Sequence, residues 1–189
     1  MPAGVQLSTR LIERPVGATR LDSVHTEMVR DGPAAAVGQY PGTTIWRVNW
    51  SYEYDRQPGR CALRQVGARV DAEVHVPRWD PKGATDSAAR AWWNDYLARL
   101  LEHERGHVRL AADAGGEIVR ALRPIEAPSC AAASAQANQE GERILRDLAT
   151  RQSAYDRDTH HGMVVPGPRP GPGGRVPFHG RRDSTEVPR

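Results

Sequence analysis

Between about Thr85 and Pro124, the residues Trp92, Tyr96, Leu100, His103, His107, Ala111, Ala114 and Ile118 recur at steps of three and four. Side chains at those steps share one face of an α-helix, which commits this stretch to a single long helix. A neighbouring stripe holds Trp93, Leu97, Leu101, Glu104, Val108 and Ala112. Apolar cover on two adjoining faces requires the helix to be largely buried. Gly115-Gly116 interrupts it at roughly 1 kcal/mol per Gly relative to Ala. The pair marks either a kink or a place where another element comes close. Pro124 ends the helix.

Everything else must bury that helix. Trp46, Val48, Trp50, Tyr52 and Tyr54 alternate with Arg47, Asn49, Ser51 and Glu53, the period of a half-buried strand. A turn at 55–60 leads to a second alternating run, Val66, Ala68, Val70, Ala72, Val74 and Val76, which stops at Pro77. The two runs read as a hairpin. Leu11 to Val16 reads as a short strand, and Thr19 as the cap of a helix carrying Leu21, Val24 and Met28. A last helix is expected over 131–152, with Cys130, Ala137, Gly141, Ile144 and Leu148 inward, its small residues favouring tight packing on the long helix. His75 falls on the polar side of its strand and is expected to be solvated. The expected fold is α+β: a small antiparallel sheet packed on the long helix, with the second helix antiparallel to it.

Length and composition bound the rest. The chain of 189 residues is one domain's worth, and 39% hydrophobic against 26% charged residues rules out a fully disordered chain. No apolar run approaches the roughly 18 residues of a membrane span. The formal charge of +3 arises in the last stretch, where Arg169, Arg175, Arg181, Arg182 and Arg189 face only Asp183 and Glu186. Residues 1–162 are neutral, so the electrostatic footprint of a nucleic-acid binder is missing. Residues 163–189, rich in Pro and Gly and holding Phe178, cannot bury a core and are expected to be disordered. The organisation expected is a flexible N-terminus over 1–9, a folded domain over 10–162 and this tail. Met1 to Pro15 lacks a charged segment followed by an apolar stretch, so it does not read as an export leader. Cys61 and Cys130 are too few for a thiolate metal site; they form either one bridge or two buried thiols.

The chemistry is concentrated in His103-Glu104-Arg105-Gly106-His107, an H-E-x-x-H sequence on the buried helix. Residues four apart on a helix have Cβ atoms about 6 Å apart, so two imidazoles can converge on one ion. Glu104, one position round, reaches a water activated by that ion and can take its proton. The expected cofactor is Zn²⁺. A catalytic zinc needs a third protein ligand. Asp113 lies six residues beyond His107 and, without a helix break at Leu110, points about 120° away. Glu117 also falls off the face. The remaining source is Tyr155 to Gly162, which holds Asp156, Asp158, His160 and His161. Tyr155 is a candidate donor to a tetrahedral oxyanion, or else an aromatic closing the last helix. Asp156 is a candidate to orient a ligand histidine or to act as an alternative ligand, as is His160.

An ordered set of residues carries a resemblance. It comprises W-x-V-x-W-x-Y-x-Y at Trp46 to Tyr54, Cys61, Val-Pro-x-Trp at Val76 to Trp79, the Trp92-Trp93 helix running into His103 to His107, Cys130, and Tyr-Asp-x-x-Thr-x-His-Gly at Tyr155 to Gly162. Over roughly residues 10–162 the chain resembles a bacterial group described as predicted secreted zinc-dependent proteases, otherwise a domain of unknown function. The resemblance implies a secreted or periplasmic location, a zincin-like site at His103, Glu104 and His107, and a bridge between Cys61 and Cys130. It also selects His161 over His160 as the third ligand. The expectation that follows is a zinc metallopeptidase acting on a peptide or protein substrate, held as an added strand on an edge strand at 69–76. The competing expectation is a secreted binding module in which zinc is structural, with Asp156 or His160 as a fourth ligand. A third is a pair of core histidines bonded to protein groups.

Overall fold

The structure, a computed structural model, describes residues 1–19, 23, 27, 41–81, 83, 85 and 87–162. Of the helix expected from Thr19 to Met28, Thr19, Ser23 and Glu27 are described: Ser23 and Glu27 are helical, and Thr19 lies in a bend. The expected disordered tail from Met163, with Phe178, lies outside the described residues.

Strands β1 (Val5–Val16), β2 (Thr43–Gln57) and β3 (Arg60–Trp79) are followed by helix α1 (Ser87–Leu122), a two-residue strand β4 (Glu126–Ala127) and helix α2 (Cys130–Thr159). β1 begins at Val5 rather than Leu11, so Val5 to Thr9 of the N-terminal stretch lie in a strand. β2 and β3 form the expected hairpin across Pro58-Gly59, where Gly59 adopts φ 69°, a left-handed conformation that suits glycine.

The four-stranded sheet has the order β1-β3-β2, with β4 also on β3. It is mixed, not purely antiparallel as expected. The Ala68 amide donates to the Gly4 carbonyl at 2.9 Å, Arg10 pairs with Glu73, and the Asp80 amide donates to the Val16 carbonyl at 2.8 Å. The two numbers of each pair rise together, so β1 runs parallel to β3. β4 is antiparallel to β3, with Cys61 opposite Ala127. β3 lies between β1 and β2, so the segment 69–76 is not an edge; β1 and β2 take that place.

The described chain gathers into two compact units. The first comprises Met1–Ser8, Trp46–Ala72 and Gly106–Arg157. Its core joins Val66, Ala68 and Val70 of β3 to Ala111, Ala114, Ile118 and Leu122 of α1 and to Ala133, Ala137, Ile144 and Leu148 of α2. α1 runs unbroken through Gly115, which admits the sheet: a Cβ there would stand 3.0 Å from Val70 Cγ2. Gly141 serves β2 rather than the other helix, since a Cβ there would lie 2.6 Å from the Trp50 ring. The bridge between Cys61 and Cys130 is formed, tying the start of β3 to the first residue of α2.

The second unit comprises the described residues within Thr9–Ile45, Glu73–Arg105 and Asp158–Arg189. Val16, Val74, Val76, Trp93, Tyr96 and Leu100 are buried there. The Trp93 ring packs on Trp79 and Tyr96 at centroid distances of 5.6 and 5.8 Å. Trp79 Nε1 donates to the Ala18 carbonyl at 2.7 Å.

His75 is not solvated: its side chain is 15% exposed, with Nε2 3.6 Å from Glu73 Oε2. Burial, and then the charge of Arg14, hold its pKa below the usual 6.5, against an opposing pull from Glu73 and a further push from Arg10. The folded chain therefore favours neutral His75. Its contribution is complete above the unfolded value near 6.5 and is lost as pH falls through the lower folded value. The urea midpoint is expected to fall between pH 7.5 and 5, and His75→Gln to flatten that slope. An equal slope in both proteins contradicts this.

Candidate metal centre

His103 and His107 stand one turn apart on α1 and are buried, at 3% and 8% exposure. α2 does not end at Gln152 as the sequence suggested; it continues to Thr159 and carries polar groups to the histidines. Arg151 pairs with Glu117, Gln152 with His107, and Thr159 with His103. Rising numbers on α2 meet falling numbers on α1, so the helices are antiparallel, as expected.

One donor atom each from His103, His107 and Asp156 lies within 4.8 Å of the other two. Asp156, expected only as an orienting or alternative group, is thus the carboxylate of the cluster. His161, the ligand implied by the resemblance, is not part of it, nor is His160. Both are turn residues, with φ 52° and 47°, and with Gly162 at φ 85° they form a left-handed cap on α2. The Gly162 amide donates to the Thr159 carbonyl at 3.1 Å. A Cβ on Gly162 would be 3.0 Å from His103 Cβ, so this turn lies directly on His103.

The donor chemistry fits a metal ion. Gln152 Nε2 donates to the His107 carbonyl at 3.1 Å, which fixes the amide and turns Oε1 toward His107 Nδ1. Nδ1 therefore donates to Oε1, and the lone pair of the neutral ring is on Nε2. That Nε2 stands 2.9 Å from Asp156 Oδ1. An N···O separation of 2.9 Å is met either by a proton on Nε2, as in an imidazolium–carboxylate pair, or by a shared metal ion. Two imidazoles and a carboxylate suit zinc and iron(II).

Glu104, next to His103 in the chain, is 1% exposed. Thr44 Oγ1 donates to Glu104 Oε2 at 2.6 Å. The chain also closes on it at Gly42, where a Cβ would meet both Glu104 Oε1 and Leu100 Cδ1 at 2.8 Å. Burial, and then the Glu104 charge, push the Tyr96 hydroxyl well above its ordinary range. Tyr155 lies edge-on to the His107 ring, centroids 5.1 Å apart and planes at 87°. A Cβ on Gly106 would overlap the Tyr155 ring and hydroxyl, so the second variable position of the motif must be small for Tyr155 to lie there.

Sequence reasoning missed Gln152, Thr159, Thr44 and Gly42. Two signals were available: Thr159 stands in the Tyr-Asp-x-x-Thr-x-His-Gly set, and Gln152, Asp156 and Thr159 fall at i, i+4 and i+7, one helical face.

Residues 13–162 match the model of a family described as "Bacterial protein of unknown function (DUF922)". The chain belongs to the DUF922 family. The matched span contains the whole cluster and the disulfide, but the description assigns no activity. No curated protein and no solved structure matches this DUF922 chain. Among the described residues, no helix is long and apolar enough to cross a membrane.

Proposed function

We propose that this DUF922 chain is a zinc-dependent peptide-bond hydrolase in which His103, His107 and Asp156 hold the ion and Glu104 is the general base. The observation that carries the reading is the convergence of these three donors beside a buried, hydrogen-bonded carboxylate one residue from a ligand. When bound, zinc supplies Lewis acidity, lowering the pKa of a water toward 7 and polarising the scissile carbonyl. Glu104 takes the proton of the attacking water and delivers it to the leaving amine. Thr44 fixes the orientation of that carboxylate. Tyr155 covers one flank of His107 and is the candidate donor to the oxyanion.

Three protein donors leave a coordination position open, as catalytic zinc sites do, whereas structural sites close with four. The Cys61–Cys130 bridge supports a secreted or periplasmic location, because disulfides persist in oxidising compartments.

The test is cleavage of a mixed peptide library by the zinc-loaded chain, followed by mass spectrometry. Cleavage that stops with a zinc chelator and returns with added Zn²⁺ is expected. A chain that binds zinc and cuts no peptide overturns the hydrolase reading and leaves the binding module.

A further inference from the structure

α2 presents a second motif to the H-E-x-x-H turn: Gln152, Tyr155, Asp156 and Thr159, spaced Q-x-x-Y-D-x-x-T. Gln152 and Thr159 are buried polar residues, 7% and 0% exposed, on a helix whose other buried members are mainly Ala, Ile and Leu. Buried polar groups of this kind require hydrogen-bond partners. Both find them on the histidines: Gln152 on Nδ1 and the carbonyl of His107, and Thr159 Oγ1 at 3.0 Å from Nδ1 of His103.

We propose that Gln152 and Thr159 are positioning residues that hold both histidines with Nδ1 protonated, so that Nε2 of each is the metal-binding atom. The proposal rests on the zinc reading above and extends it to groups that do not touch the ion. For His107 the direction follows from the amide, whose NH₂ end is committed to the His107 carbonyl. For His103 the direction is part of the proposal: the Thr159 hydroxyl, 3.0 Å from Nδ1, accepts from Nδ1–H, and a helical Thr is able to give its own proton to the carbonyl four residues back. A ring held this way cannot rotate and need not change tautomer on binding. The two helices thus divide the work. α1 supplies both imidazoles; α2 supplies the carboxylate and one acceptor for each ring. Tyr155 fills the flank left open by Gly106.

The test uses the full chain and Zn²⁺, with affinity measured by competition against a chromophoric chelator. Gln152→Leu and Thr159→Val remove the hydrogen bonds at similar volume. Each is expected to weaken zinc binding about 10- to 100-fold. Thr159→Ser, which keeps the hydroxyl, is expected to restore it. Long-range ¹H–¹⁵N spectra of the zinc-loaded wild type are expected to show both rings protonated at Nδ1. Unchanged affinity in Gln152→Leu and Thr159→Val, or Nδ1-bound rings, overturns the proposal while leaving zinc binding standing. A wild type that takes up no Zn²⁺ overturns the underlying metal reading instead.

Discussion

Replacing Glu104 by Gln is expected to lower peptide hydrolysis by about 10²- to 10⁴-fold, the range of a general base, with zinc still bound. That loss corresponds to about 3–5 kcal/mol of transition-state stabilisation. The substitution keeps the shape of the side chain and an acceptor for the Thr44 hydroxyl, so the packing around Gly42 and Leu100 is undisturbed. It also removes an ionisable group from a site that is 1% exposed. Burying a charge costs free energy that a neutral amide does not demand. The melting temperature of the metal-free variant is therefore expected to equal or exceed that of the wild type. Lost activity with retained zinc and fold identifies a group used in the chemistry. Unchanged turnover removes Glu104 from its role.

The second large effect is on stability. The Cys61–Cys130 bridge spans 69 residues of sequence. In the chain-entropy model, closing a loop of that size contributes about 4 kcal/mol by restricting the unfolded chain. A domain of this size has only roughly 5–15 kcal/mol in total. Replacing both cysteines by Ala is expected to lower the urea midpoint by a large fraction of its value. The staple holds the first residue of α2, and Gln152 lies 22 residues further on, about 33 Å along a helix. The zinc affinity of the still-folded fraction is therefore expected to change little. A double variant as stable as the wild type contradicts the account of the bridge.

What could be read from the sequence follows the physics of each feature. The H-E-x-x-H turn was legible because both its chemistry and its burial are local: two histidines at i and i+4 on an apolar stripe. The hairpin of β2 and β3 was legible because its turn and its alternation are local as well. The parallel pairing of β1 with β3 was not, since such strands share no turn and leave no short-range mark. β1 was cut short although Val5, Leu7, Thr9 and Leu11 alternate with Gln6, Ser8 and Arg10 in the period that marked β2, and Val5 and Leu7 pack on the core.

Asp156 was weighed only as an orienting group or an alternative ligand for one reason. Ser153, Tyr155, Asp156, Asp158 and Thr159 are indifferent helix formers, so the last helix was ended at Gln152. Packing against α1 carries it through Thr159, and that places Asp156 one turn beyond Gln152 on the inward face. With a helix there, His160, His161 and Gly162 become the turn that follows its last residue. Thr44 and Gly42 were invisible because they reach Glu104 across 60 and 62 positions of chain, and nothing in their neighbours marks them.

The most direct measurement is elemental analysis of the full chain purified without chelators, beside Asp156→Ala. The account predicts about one zinc per wild-type chain, as a single three-donor site requires, and its loss from the variant. Protein that arrives empty and takes up no zinc, or that carries iron in its place, contradicts it.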